Sequence, residues 1–530
     1  MKKIYYFLLL IIAVNLSACK NDEFFKLEFP PQPLIISIDN LDQAVGGVYY
    51  AMMANEGQLS TFDNLAVYAA AVGDEGAFIS TAGNLTSVRE LYDRSNSYEN
   101  ERMTWAFIPA YDAIRHANIW IKGIDKGDYT KLEGQLRIPP LKGELLFLRA
   151  YNYWTLVKLY HPPYQKGGDN TYKGVPFVKS GVPSDLNEAI NAPAGTTEEI
   201  YQLIKSDLIE AKNLLPEDQL RAGGTNKYAA AALLSRVLFQ MQDFTAAKAE
   251  CDFVIDQSNN KFNLSQDPIE TWNKYWSGYN TNAMSGVKAK EMLWFFSTGD
   301  GTVLANGLGG TRSQWNVPRA WGVFNMHIGS VQNTIPGGGG GETAKPTDRT
   351  LAISQSLLRK VGWATSDSIP TAEALKDKRF LQLYYYNPTI DPIFSAVGRR
   401  YWWIDKYYRG PQDQYRYGAI PLIRLAEMYL TRSIINFNNG DRINAVSDLN
   451  IVRTRAGLDN IDATNLTADM IHNERWKELS FESDRLFYLQ ALKINISNGD
   501  RGTGDIPYNS TKLLWPLPQL EIELNPSLKN

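Results

Sequence analysis

The chain has 530 residues, of which 44% are hydrophobic, 21% charged and 12% aromatic. That composition excludes disorder and allows a sizeable core, arranged as about three domains or one large helical array. A formal net charge of -3 leaves no basic field for gripping nucleic acid, and four His with two Cys argue against a zinc enzyme or a disulfide framework. No cofactor or metal is expected.

The N-terminus reads as an address. Lys2 and Lys3 precede an apolar run from Ile4 to Val14, too short to span a bilayer but suited to a signal peptide. Leu16-Ser17-Ala18-Cys19 follows and resembles a bacterial lipobox, which makes Cys19 the expected lipid-attachment residue. Loss of residues 1–18 removes two of 54 basic residues and no acid, so the net charge becomes -5. Only Cys251 then remains as a thiol. Residues 19–40, with Pro30, Pro31 and Pro33, read as a lipidated tether. Lys20-Asn21-Asp22-Glu23 resembles the signal that sends some lipoproteins to the outer face of the outer membrane.

Apolar residues then recur at helical spacing through residues 41–258. Helices are predicted over Ala106–Ile124, with Pro109 in the first turn, and over Leu141–Tyr160, stopped by His161-Pro162-Pro163. A third is predicted over Thr197–Leu215, where Thr196 and Glu199 suit an N-terminal cap. Asn226–Gln240 and Phe244–Gln257 form a helical pair, as do Pro421–Phe437 and Asp441–Ala456. The pairs superpose with a shift of 198, matching Ser235 to Ser433, Asp243 to Asp441, Ala247 to Ala445 and Val254 to Val452. Two helices with a short turn and a small residue early in the second follow the tetratricopeptide pattern, whose apolar faces are covered by stacking. Thr467–Leu492 reads as one long final helical stretch.

Residues 259–420 differ. Gly and Pro are frequent, periodicity is lost and aromatics crowd together, so long loops over a helical scaffold are expected. The run Gly337 to Gly341 is read as a loop, since no strand precedes it and no P-loop Lys follows. Trp272, Tyr275, Trp276 and Tyr279 share helical spacing, and Tyr401-Trp402-Trp403 has strand alternation.

Several stretches in residues 421–530 resemble one family. They include Arg424-Leu425-Ala426-Glu427-Met428-Tyr429-Leu430, Leu449-Asn450-Ile451-Val452-Arg453-Thr454-Arg455-Ala456-Gly457-Leu458, Glu474-Arg475-Trp476-Lys477-Glu478-Leu479-Ser480-Phe481-Glu482 and Leu514-Trp515-Pro516-Leu517-Pro518. Upstream, Leu148-Arg149-Ala150-Tyr151-Asn152-Tyr153-Trp154 with Val175-Pro176 adds to the likeness. The chain resembles the SusD/RagB family of outer-membrane nutrient-binding lipoproteins. One departure is the longer segment from His161 to Gly174. The resemblance implies a mostly α fold with tetratricopeptide-like hairpins as scaffold and a loop-rich ligand-binding side. It also implies a SusC-like TonB-dependent transporter as partner, a glycan as usual cargo, a location on the outer surface of the cell outer membrane, and no enzymatic activity.

A sugar ring has apolar C–H faces and a polar edge, so its site needs flat aromatics beside polar side chains. Trp315 and Trp321, with Asn316 and Arg319 between them, meet that need in a Gly-rich setting. Tyr92, Asn96 and Asp74 are further ligand-binding candidates, because family sites draw on a segment at about this place. Glu478 and Glu482 share a helical stripe with Arg475 and Arg485, which favours an ion-paired docking face over a catalytic carboxylate pair. The alternatives are the same lid role for a peptide or sialic-acid-type ligand, an adhesion lipoprotein, and a surface glycoside hydrolase using two carboxylates.

Overall fold

The computed structural model describes residues 35–53, 61–79, 86–95, 97–178, 181, 188, 191–221, 223–273, 289–297, 351–366, 369–385, 401–404, 406 and 419–528. Their longer helices are α1 (Ile38–Met53), α2 (Thr61–Val72), α3 (Thr86–Asp93), α4 (Glu101–Lys126), α5 (Ile138–Tyr160), α6 (Thr197–Leu214), α7 (Lys227–Gln240), α8 (Phe244–Asp256), α9 (Leu425–Asn438), α10 (Arg442–Arg455), α11 (Ala468–Leu479) and α12 (Arg485–Ala491). Short strands are β1 (Gly76–Phe78), β2 (Lys173–Pro176), β3 (Ala194–Thr196), β4 (Met292–Ser297), β5 (Leu351–Ile353), β6 (Tyr384–Tyr385), β7 (Trp403–Ile404) and β8 (Ala419–Arg424). The fold is mostly α, as expected.

Helix α5 is the axis of the core. Eighteen of its 23 residues are buried, so it is enclosed nearly all round rather than along one stripe. Pro139 and Pro140 open it, where a missing N–H costs nothing, and His161-Pro162 ends it. Packing then runs from α1 to α4, to α5, and on through α6, α7, α8 and α9 to α10. Helix α6 starts on a complete capping box: Glu199 N–H donates to Thr196 Oγ1 at 3.1 Å, and Thr196 N–H donates to Glu199 Oε2 at 3.1 Å.

The hairpins α7–α8 and α9–α10 use their matched residues identically. Ser235 Oγ donates to Ala247 O at 3.0 Å, and Ser433 Oγ donates to Ala445 O at 2.7 Å. Both alanines are fully buried. The turns match as well: Gln242 and Gly440, also 198 apart, have φ of 59° and 82°. Gly440 adopts that left-handed turn without strain, and Gln242 does not. Cys251 lies inside the first hairpin, where burial pushes its thiol up to about 12.

Four expectations are corrected. The tether is shorter, since α1 starts at Ile38. Helix α4 starts at Glu101, capped by Asn100, whose side chain accepts from Arg102 N–H; Pro109 therefore lies in the helix interior, not its first turn. Residues 421–424 are strand, not helix: β8 pairs antiparallel with β4, setting Ser297 against Ala419. A short apolar run with β-branched residues suits either state, and the β4 partner decides it. The final helical stretch breaks between α11 and α12, with Phe481 at φ 60° and Ser483 at φ 61°.

Strand pairing ties the chain's parts together. β1 pairs with β5, setting Gly76 against Ile353, and Ile353 N–H also donates to Trp402 O at 2.9 Å. One hydrophobic cluster runs from Ile38 to Trp515.

Candidate ligand-binding surface

Trp315, Asn316, Arg319, Trp321, Asn96 and Cys19 lie outside the described residues, as do Gly337–Gly341 and Tyr275, Trp276 and Tyr279. What is described is the frame around the aromatic stretch. β4 ends at Ser297 against β8, and β5 begins at Leu351 against Phe78 of β1. Both ends of residues 298–350 are thus pinned by backbone hydrogen bonds.

Beside β1 and β5 lies an aromatic layer. Trp403 is buried with Ala77, Ile79 and Ala352, with Tyr401 packed against them. Trp402 faces the other way, its ring 4.5 Å from Phe380. The strand alternation read from the sequence therefore puts one ring on each face. Trp272 is buried on a four-residue helix, Glu270–Asn273.

Tyr92, on α3, is half-buried. The Arg501 guanidinium lies 4.0 Å from its ring centroid, and Phe78 lies 5.9 Å away at a tilt of 33°. Arg501 also donates to Gly73 O at 2.9 Å. Gly73 is required here, because a Cβ would fall 2.4 Å from Ala69 O.

Asp74 has a different role from the one expected of it. It is 3% exposed, and its two carboxylate oxygens accept from Arg485 Nε at 2.6 Å and Nη2 at 2.7 Å. Burial alone would raise its pKa, but the Arg485 charge holds it below the usual carboxylate range. Asp74 anchors α12 from beneath the Tyr92 corner. Its neighbour Glu75 is buried too, at 1% exposed. Glu75 Oε1 accepts from Trp476 Nε1 at 3.0 Å and from Phe481 N–H at 2.9 Å, while Oε2 is buried without a partner. Burial pushes its pKa up to about 7.

Glu478 and Glu482 are ion-paired, though not by the stripe neighbours expected. Arg424 Nη1 lies 2.8 Å from Glu478 Oε1 and its Nε 2.8 Å from Glu482 Oε2. Arg455 and Arg379 also reach Glu478, and Lys406 reaches Glu482. Arg475 instead holds Asp484, and Arg485 holds Asp74. For Glu478, burial would raise the pKa, but Arg455, Arg424 and Arg379 hold it well below the usual range. It has no proton to give as a general acid. The long segment from His161 is tied across its base: His161 bridges Thr197 Oγ1 at 2.9 Å and Val175 N–H at 3.1 Å, and burial drops its pKa to about 3.

Residues 36–239 match a family described as starch-binding and associating with the outer membrane, and residues 380–490 match the SusD family. The chain belongs to the SusD family. It is 27% identical to a SusD-like protein of Formosa agariphila over 99% of this chain and 98% of that one. A SusD superfamily structure from Bacteroides thetaiotaomicron covers 93% of this chain and 99% of its own, with TM-score 0.70 and 22% identity. A laminarin-binding SusD-like protein covers 92% of this chain and 98% of its own, with TM-score 0.64 and 18% identity. These solved structures, both under 25% identical, share the fold of this chain. No helix among the described residues is long and apolar enough to cross a membrane.

Proposed function

We propose that the mature chain is a lipid-anchored protein on the outer face of the outer membrane. It binds an oligo- or polysaccharide and passes it to a SusC-like TonB-dependent transporter. The observation that carries this reading is the SusD-family match at both ends of the chain, joined to an aromatic stretch held between two anchored strands. A rigid scaffold holding a variable segment is the usual arrangement for recognition. The chemistry of transport belongs to the partner; this chain supplies capture.

The glycan platform is assigned to Trp315 and Trp321, with Asn316 and Arg319 meeting the sugar edge, and Tyr92 is a further candidate. Loss of either Trp ring to Ala should weaken glycan binding about ten- to a hundredfold, by analogy with bases stacked on aromatics. Its melting temperature should stay at the wild-type value. A lowered melting temperature with unchanged affinity would make these rings packing residues instead. A glycan array on the purified protein identifies the sugar class, and an assay for reducing ends should find none released. The anchor is tested separately: Cys19→Ala should abolish membrane partition and surface labelling, whereas unchanged labelling would remove the lipid from the proposal.

A further inference from the structure

Among the described residues, no carboxylate pairs with the buried Lys158 amine. Lys158 lies on α5, 5% exposed, with Nζ 3.5 Å from the Trp154 ring centroid and 3.9 Å from that of Phe487. Two aromatic faces favour an ammonium, but its three N–H donors find no oxygen in them. The neighbouring carboxylates are already taken. Arg236 Nε lies 2.8 Å from Glu427 Oε1, and Arg475 holds Asp484 through hydrogen bonds of 2.7 and 2.6 Å. With Lys158 protonated, three cations face two carboxylates. Among the described residues, no carboxylate is within 4.0 Å of Lys158 Nζ. The nearby histidines do not change the count: burial drops His472 to about 4 and His161 to about 3, so both are neutral at pH 7.

A cavity of about 20 Å³ opens against this cation, lined by Lys158, Thr431 and Ser483 among others. That is space for a water-sized guest. Ser483 Oγ is buried with no hydrogen-bond partner. Thr431 Oγ1 accepts from Arg475 Nη1 at 2.9 Å and keeps its own proton to donate. A second cavity of the same size shares Lys158, Gln240 and Phe487 and continues past His161 to Tyr164.

We propose that this cavity binds a small monovalent anion of halide size, held by the Lys158 ammonium and the hydroxyls of Ser483 and Thr431. An unpaired buried charge is costly, and one anion balances the cluster while giving the Ser483 hydroxyl an acceptor. Without it, burial and then the Arg236 charge pull the Lys158 pKa well below the ordinary lysine range. The competing occupant is a water beside a neutral amine.

The test titrates the full mature chain with sodium chloride or bromide, replacing gluconate at constant ionic strength, while the melting temperature is followed. A saturable rise is expected. Lys158→Met keeps an unbranched apolar side chain between the two rings and should raise the half-saturating concentration at least about tenfold, or about 1.4 kcal/mol. Ser483→Gly suits the positive φ and should raise it severalfold. Bromide-soaked wild-type crystals should give an anomalous peak in contact with Nζ. Equal responses to chloride and gluconate, or equal responses of wild type and Lys158→Met, would overturn the proposal. So would a bromide-soaked wild-type crystal with no peak in the cavity, whether or not the variants fold.

Discussion

Replacing Arg424 with methionine should destabilise the protein by about 3–5 kcal/mol, the cost of breaking a buried ion pair and stranding its partner. Arg424 is 2% exposed and bridges three carboxylates: Glu291 at 2.5 Å, Glu478 at 2.8 Å and Glu482 at 2.8 Å. Its Nη2 also donates to Glu478 O at 2.9 Å. Methionine fills part of the volume and supplies none of this. The control is Arg137→Met, which breaks half-exposed pairs with Asp39 and Asp42 and should cost at most about 1 kcal/mol. Urea midpoints of the two variants decide the matter; shifts of equal size would show that the buried network adds little. Acid should act on the same network. Glu478 has its pKa held down by the arginines, so the stability it adds is complete above the ordinary carboxylate range and is lost as pH falls through it and below.

Glu75 should do the reverse. Its folded pKa is raised from 4.5 to about 7, so the native state holds a proton that the unfolded chain releases. Stability contributed by that proton is present below pH 4.5 and is lost as pH rises to about 7. The difference amounts to roughly 3 kcal/mol. Glu75→Gln keeps one oxygen for Trp476 Nε1 and Phe481 N–H while carrying no charge. It should therefore be more stable than wild type at pH 8, by up to roughly 3 kcal/mol, and lose the decline between pH 4.5 and 7. Superposable stability–pH curves for the two proteins would contradict this assignment.

How much of this was legible in the sequence depended on the range of the interaction. The Thr196 cap, the His161-Pro162 stop and the Ser235/Ser433 repeat act within one or two turns of chain, and each was readable. The repeat paired Ser235 with Ser433 and Ala247 with Ala445, but the bond from each serine to the alanine carbonyl is seen only in the fold. The strand at 419–424 was not readable, because its partner lies more than a hundred residues upstream in β4. The break between α11 and α12 depends on Glu75, some four hundred residues away, accepting the Phe481 N–H. The Glu478–Glu482 stripe was correctly read as paired, yet its arginines came from other elements: Arg424 precedes α9 and Arg455 ends α10. Asp74 was misjudged for the same reason. A polar residue between glycines looks like an exposed loop acceptor until Arg485 from the far end of the chain buries it. The aromatic platform at Trp315 and Trp321 rests on local chemistry alone and remains a proposal.

The pinning of residues 298–350 at Ser297 and Leu351 bears on how such a protein changes its cargo over evolution. Main-chain hydrogen bonds at both ends make no demand on the side chains between them. The entropy of closing a long segment changes slowly with its length, by about 0.6 kcal/mol per doubling. Changes in the length of a segment closed at both ends are therefore thermodynamically cheap. The helical array, in contrast, is locked by buried charge that tolerates few single replacements. Under the function proposed above, cargo would change through residues 298–350 while the helical body stays the same.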